Sequence, residues 1–309
     1  MSLSTALSLG QTALELGLIC SLTVLALFLS YSMLNVCDLS TDGCFTLGAS
    51  VGAVVAIAGH PFLSLPAAML AGMLSGFITA VLQTRMGIDS LLAGIIVNTG
   101  LYSVNIAVMG GSSLLNMNKV DTVFSVVKDL LKDTPLEGKH ILLVSLIAAA
   151  LVVLFLTLFL NTRLGLAIRA TGNNPDMVRS SSINPIFTTT VGLCVANAFT
   201  GLSGCLLAQS QKSADINIGT GMVTIALASL LIGSTFMGRG SICRRAVGVV
   251  IGSFVFRLVY TIALRFNMPA FMLKLVSSVI VILAISGPYL KSQWPMIRRR
   301  LQRTKQGGK

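Results

Sequence analysis

Leu164 to Pro185 reads LGLAIRATGNNPDMVRSSSINP, a polar stretch between two long apolar runs, 140–160 and 186–209. Each flanking run supplies the roughly 20 apolar residues that a helix needs to cross a bilayer. The alternation continues outward in both directions. Apolar runs fall at 12–35, 43–59, 62–82, 90–110, 140–160, 186–209, 220–237, 246–264 and 271–290. Of the 309 residues, 54% are hydrophobic and only 10% charged, where a soluble domain carries about a quarter charged residues. One soluble core could not hide this much apolar surface. The expected fold is an all-α polytopic membrane protein with about 8–10 transmembrane segments. The second and seventh runs are short and contain glycine, so they read as broken or tilted.

Charge orients the spans. The net charge is +12, yet residues 1–84 contain no Lys or Arg. The 291–309 tail holds Lys291, Arg298, Arg299, Arg300, Arg303, Lys305 and Lys309. Basic loops stay on the cytoplasmic side and are drawn to anionic lipid, so this is a basic cytoplasmic tail facing membrane lipids, with no nucleic acid as partner. Counting back, 238–245, 161–185 and 83–89 are also cytoplasmic. The N-terminus, 111–139 and 210–219 face outward. The start has no basic region or clear cleavage site of a signal peptide. Within 111–139, Val123, Phe124, Val127, Leu130 and Leu131 recur at helical spacing. They predict a short amphipathic helix, either packed on the bundle or offered to a partner.

An internal repeat is visible. Asp38 and Gly43 precede one short apolar segment; Asp215, Gly219 and Gly221 precede another, and the two Asp residues lie 177 residues apart. Gly72 and Gly76 correspond to Gly248 and Gly252 at an offset of 176. The matched segments are the second and the seventh, so the halves, about 12–110 and 186–290, are inverted pseudo-repeats of one domain, 1–290. Inverted halves with broken helices are a transporter device. Ala68, Gly72, Gly76 and Ala80 fall every four residues on one face, where small side chains let backbones approach.

The opening stretch has local order of its own. Asn174 can cap a short helix, with Pro175 at its first position, Asp176 in its first turn and the Asn184–Pro185 pair ending it. On physics alone it is either a plain loop or a helix that receives a push from a partner. Several catalytic motifs are missing. There is no G-x-x-x-x-G-K-[ST] phosphate loop, no H-E-x-x-H, no G-x-S-x-G and no paired C-x-x-C. The chain is not expected to be an enzyme, to hydrolyse ATP or to hold a metal. The six cysteines read as packing residues.

The stretch resembles the cytoplasmic coupling loop of ABC importer permeases of the branched-chain amino acid and ribose permease superfamily. That group shows a pattern like R-A-x-G-x-N/D-x-x-x-A-x-x-x-G-I-N. This chain keeps Arg169, Ala170, Gly172, Asn174, Ile183 and Asn184, and has Ser182 where glycine is usual. Residues 37–49 (CDLSTDGCFTLGA), 91–111 (LLAGIIVNTGLYSVNIAVMGG) and 225–245 (IALASLLIGSTFMGRGSICRR) resemble the tryptophan/tyrosine-type ABC permease subfamily. The resemblance implies a bacterial cytoplasmic (inner) membrane protein that is multi-pass and works as a homodimer. It implies two ATP-binding cassette ATPase subunits, which bind ATP and Mg, and an extracytoplasmic solute-binding protein. The solute would be an amino acid, in particular an aromatic one; a sugar or nucleoside is the alternative, and an ion-coupled secondary transporter a more distant one. The ATPase-coupling residues would be Asn173, Asn174, Pro175, Asp176, Met177, Arg179 and Asn184.

Polar residues inside a membrane are costly and therefore functional candidates. Asp38, Asp42, Asn98, Tyr102, Asn105 and Asp215 are the candidates for a translocation path. The Asp residues could instead pair with Arg257 or Lys274. Asn98 and Asn105 are seven apart, so they share one helix face, with Tyr102 between them.

The topology predicts a labelling pattern. Single cysteines in a background lacking the six native ones should react with an impermeant outside reagent at 111–139, and not at 161–185 or 291–309. Outside labelling of position 180 would overturn the orientation.

Overall fold

The computed structural model describes residues 3–132, 137–237 and 240–265, with isolated residues between 275 and 286. The apolar run 271–290, Lys274 and the tail 291–309 thus lie largely or wholly outside the described residues. In chain order the helices are α1 (Leu3–Leu27, continued by a π-helical segment Phe28–Met33), α2 (Thr41–Ile57), α3 (Ser64–Thr84), α4 (Ser90–Val108), α5 (Val123–Leu130), α6 (His140–Asn161), α7 (Arg163–Asn173), α8 (Pro175–Ser180), α9 (Pro185–Gln211), α10 (Met222–Met237) and α11 (Ile242–Arg265). Among the described residues six helices are long and apolar enough to cross a membrane, and α2 and α10 are shorter apolar helices. The chain is an all-α polytopic membrane protein. The two short segments are whole helices that start inside the bundle.

Burial separates the centre from the lipid-facing rim. The apolar windows of α1 and α9 are 78% buried, that of α6 only 22%. A helix in lipid gains little from hiding apolar surface, so association depends on close packing. The crossings are accordingly made of small residues. Ala68, Gly72, Gly76 and Ala80 of α3 are all buried. A Cβ on Gly76 would stand 2.6 Å from the Leu193 carbonyl oxygen and 2.9 Å from Asn197 Cβ, both on α9. Gly48 and Gly52 of α2 press on α9 at Gly201 and Cys205 in the same way. On the other side, a Cβ on Gly17 of α1 would lie 3.0 Å from Phe254 Cα of α11. There Ser253 Oγ donates to the Gly17 carbonyl at 2.8 Å.

These contacts join the two halves that the sequence suggests. The third helix of the first half, α3, packs on the first helix of the second half, α9; α11 of the second half packs on α1 of the first. At one end of the bundle β1 (Leu114–Asn116) pairs antiparallel with β2 (Ser213–Asp215), with Leu115 opposite Ala214. The 111–139 and 210–219 segments therefore share an end, as the charge pattern requires. At the opposite end Gly172 of α7 lies against the backbone of Met33 and Leu34.

The amphipathic segment folds as α5, closed by a reciprocal capping box between Thr122 and Ser125. Val123 and Phe124 are buried, and the Val123 N–H donates to Gln209 Oε1 at 2.9 Å. Leu130, expected on the same apolar stripe, is 78% exposed because it sits in the last turn, past the bundle edge. Beyond the helix, Lys132 lies 2.7 Å from Asp129 and holds that carboxyl below its ordinary range. Both are exposed, and such pairs add little stability.

Gly76→Leu should lower the yield of folded, monodisperse protein, since overpacking costs about 1–3 kcal/mol. Leu74→Ala, at a position 65% exposed, should leave the yield near wild type. Equal yields from the two variants would mean that the small-residue face is not a contact.

Candidate functional site

Two places combine unusual backbone with polar side chains: the meeting point of α2 and α10 inside the bundle, and the α7–α8 segment at one end.

At the first, the leading N–H groups of α10 have no intrahelical partner and are partly buried. Asp42, the second residue of α2, supplies acceptors. Its Oδ2 takes the Gly221 N–H at 2.9 Å and its Oδ1 the Val223 N–H at 2.8 Å. One carboxylate thus faces the N-termini of two helices, whose dipoles favour negative charge. Gly219 is needed for the approach, because a Cβ there would collide with the Asp42 carbonyl oxygen. Gly221, at φ +84°, turns the chain into α10.

Beside this junction opens a cavity of about 310 Å³, lined by Asp42, Thr46, Asn98, Tyr102, Asn105 and Asn217 among others. Four of the six expected path residues therefore meet at one wall. Asn98 and Asn105 do share a face of α4. Asn105 is buried and donates through Nδ2 to the Gly43 carbonyl at 3.2 Å, while its Oδ1 is unpartnered. Tyr102 is 52% exposed at the cavity mouth. The lining offers neutral hydrogen-bonding groups, one carboxylate and one aromatic ring.

Asp38 and Asp215 are placed differently. Asp38 is buried; its Oδ1 accepts from Ser40 N at 2.8 Å and Ser40 Oγ at 2.6 Å, and its Oδ2 from Asn197 Nδ2 at 2.7 Å. It pins the start of α2 to the middle of α9 and does not line the cavity. Asp215 is exposed on β2, where its carboxylate takes the Asn217 N–H at 2.7 Å. Strand pairing aims it away, and Ile216, Asn217 and Thr220 line the cavity instead. The expected pairing with Arg257 is not found. Its Nη2 donates to Cys20 Sγ at 2.8 Å and its guanidinium lies over the Tyr260 ring. Asn197 and Gln209 escaped the sequence reading, although polar residues in the run 186–209 satisfied the same rule that singled out Asp38. Gln209 Nε2 donates to Ser64 Oγ at 2.6 Å while its Oε1 holds α5.

At the second place the sequence expectation of one helix becomes two. Thr162 caps α7, accepting from Gly165 N at 3.2 Å. Asn174 caps α8 as expected: its Oδ1 accepts from Asp176 N at 3.1 Å and Met177 N at 3.0 Å, with Pro175 first in the helix. The end differs from expectation. α8 stops at Ser180, and Ser182 turns the chain at φ +60°. Asn184 and Pro185 do not end α8; they start α9, with Asn184 Oδ1 accepting from Ile186 N at 3.0 Å. A left-handed residue suits glycine, which accounts for glycine being usual at this point of the pattern. Val178 is the buried residue of α8; Met177 is 66% exposed, and Asp176 and Arg179 also face outward, 3.8 Å apart. α7 is anchored by buried Ile168 and by Thr171 Oγ1, 2.7 Å from Thr188 Oγ1 of α9. Asn173, last in α7, borders a polar cavity beside the end of α1.

Residues 11–285 match the model of the family described as branched-chain amino acid transport system / permease component. The chain is 31% identical over 274 residues to the tyrosine transport system permease protein of Clostridioides difficile, covering 86% of each. It is 24% identical over 254 residues to the ribose import permease protein of Escherichia coli, covering 80% of this chain and 75% of that one. A guanosine ABC transporter permease protein of Bacillus subtilis is 30% identical over 186 residues, 57% of each chain. No solved structure gives a significant match.

Asp42→Asn should cost roughly 1–3 kcal/mol, because it removes the charged acceptor from two partly buried N–H groups. Asp215→Asn should stay within about 0.5 kcal/mol, as exposed substitutions do. Thermal midpoints of the two purified variants in one detergent test this; equal midpoints would show that Asp42 does not hold the junction.

Proposed function

Because the chain belongs to the branched-chain amino acid transport system permease family, being a membrane-spanning permease of the ABC-importer type, we propose that it imports a small amino acid, in particular an aromatic one, as one of two copies in a complex. The other members would be two cytoplasmic ATPases, which bind ATP and Mg, and an external solute-binding protein. The reading places the complex in the bacterial inner membrane, with the chain's C-terminus and the α7–α8 end in the cytoplasm.

The observation that carries the coupling role is the geometry of α7 and α8. α8 is capped and exposed, while α7 is locked to the ends of α1 and α9. Displacement of α8 by an ATPase would move the start of α9. α9 holds α2 through Asn197 and Asp38, and α2 holds α10 through Asp42. A push at one end would thereby reach the cavity wall of Asp42, Asn98, Tyr102 and Asn105, and alternating access would follow as two such bundles rearrange around a central path.

The substrate reading leans on the tyrosine permease relative. The ribose and guanosine relatives favour the second reading, in which the same machinery imports a sugar or nucleoside. Specificity would reside mainly in the binding protein, so solute screens on the binding protein that stimulates the assembled complex separate the two.

Asn174→Ala should cost α8 about 0.5–2 kcal/mol, too little to prevent folding. With its partner ATPase in proteoliposomes, hydrolysis should become less responsive to loaded binding protein, and uptake should fall. Arg179→Glu, reversing charge on the exposed face, should act more strongly. Full stimulation and transport in both variants would reduce residues 173–184 to a loop and remove the coupling argument.

A further inference from the structure

The α7 end of the bundle holds a second cavity, of about 640 Å³, bounded by the last turn of α1 (Tyr31, Met33), Asn35, α7 (Leu166, Arg169, Asn173) and the first turn of α11 (Arg245). Two guanidiniums line it, and no lining residue is acidic. The ion pairs among the described residues are Lys132–Asp129 and Arg179–Asp176, so neither arginine has a carboxylate partner there. Arg169 Nε is buried and unpartnered. Arg245 rests against the Phe28 ring at 5.1 Å, which fixes its position without neutralising it. Two like charges held near each other repel. Such an arrangement is stable only with water or an anion between them.

The surroundings indicate which anion. The cavity sits where α1 ends and α11 begins, at one end of these two spanning helices. Its rim is partly apolar: Leu166 is 51% exposed and Tyr31 41% exposed. α7 buries Ile168 and Thr171 on one face and exposes Leu164 and Leu166 on another, as an interfacial helix does. Basic pockets between spanning helices on the basic side of a membrane take anionic headgroups. Guanidiniums match phosphate oxygens in a planar fork.

We propose that Arg169 and Arg245 form a binding site for the phosphate of an anionic phospholipid from the leaflet at this end of the bundle. Bound there, the lipid would tie the end of α1, the start of α11 and α7 together. The site concerns α7, so lipid charge would set how firmly the α7–α8 segment is seated. The inference does not depend on which solute is carried.

The test is native mass spectrometry of the purified full-length chain in mixed micelles of phosphatidylglycerol and phosphatidylcholine with matched acyl chains. Wild type should retain phosphatidylglycerol preferentially. The double variant Arg169→Gln/Arg245→Gln should lose roughly tenfold to thirtyfold of that preference, the scale of two basic residues at an anionic surface. Arg169→Lys/Arg245→Lys should keep part of it, which separates lost charge from lost fold, and Arg163→Gln, on exposed surface, should keep it all. Equal preference in wild type and the double Gln variant overturns the proposal. So does displacement of the lipid by millimolar inorganic phosphate, which would make the ligand a soluble anion. Unchanged lipid retention with loss of ATPase co-purification overturns it too, since the arginines would then meet an acidic group of the partner.

Discussion

A helix that begins within a membrane bundle has leading N–H groups that its own backbone cannot pair, and each one buried without a partner is costly. The rest of this structure depends on how that constraint is met. Asp42 takes two of the N–H groups of α10 from 179 and 181 residues away in sequence. The same residue sits in the first turn of α2, so one carboxylate serves two helix N-termini. Asp38 settles the approach to α2 through Ser40 and Asn197. With these acceptors in place, short helices can start in the interior and leave a polar cavity beside them.

Packing supplies the second requirement. Lipid tails are as apolar as the side chains they meet, so helices associate by fit. α9 meets α3 and α2 through Gly72, Gly76 and Gly48, with backbone against backbone, and through Gly52 against the Cys205 side chain. Contacts this close resist bending but allow rigid elements to slide or rock as units, the kind of motion by which transporters alternate. The polar links lie at these crossings: Asp38 to Asn197, Gln209 to Ser64, Ser203 to the Ile19 carbonyl at 2.7 Å. They define the position of each element along its neighbour, which apolar packing alone leaves open.

The ends of the bundle behave differently. One end is closed by the β1–β2 pair and by α5 seated through Phe124. The other presents a capped, exposed α8 on an anchored α7, with two arginines beside it. The polar asymmetry follows the charge asymmetry of the sequence, since basic loops gather at the end that carries α7 and α8.

The sequence by itself determined the class, the position of the helices among the described residues, the small-residue face of α3 and the cap on α8. Each rests on local or periodic information: apolar run length, glycine spacing, and an Asn-Pro-Asp order whose hydrogen bonds close within three residues. It also marked Asp42, Asn98, Tyr102 and Asn105, because polar groups in apolar runs stand out by cost alone. Only the tertiary structure decided what each polar group does. Asp38 and Asp42 look alike in sequence, yet one is satisfied by Asn197 and the other by the N-terminus of α10. Asp215 occupies the matching place in the repeat, but strand pairing turns it to the surface. Ser182 ends α8 early through a left-handed turn that Asn184 and Pro185 gave no sign of. The physical reason is the same in each case: the partner of a buried polar group is selected by which backbone reaches it across the bundle, and that distance is not written in the order of residues along the chain.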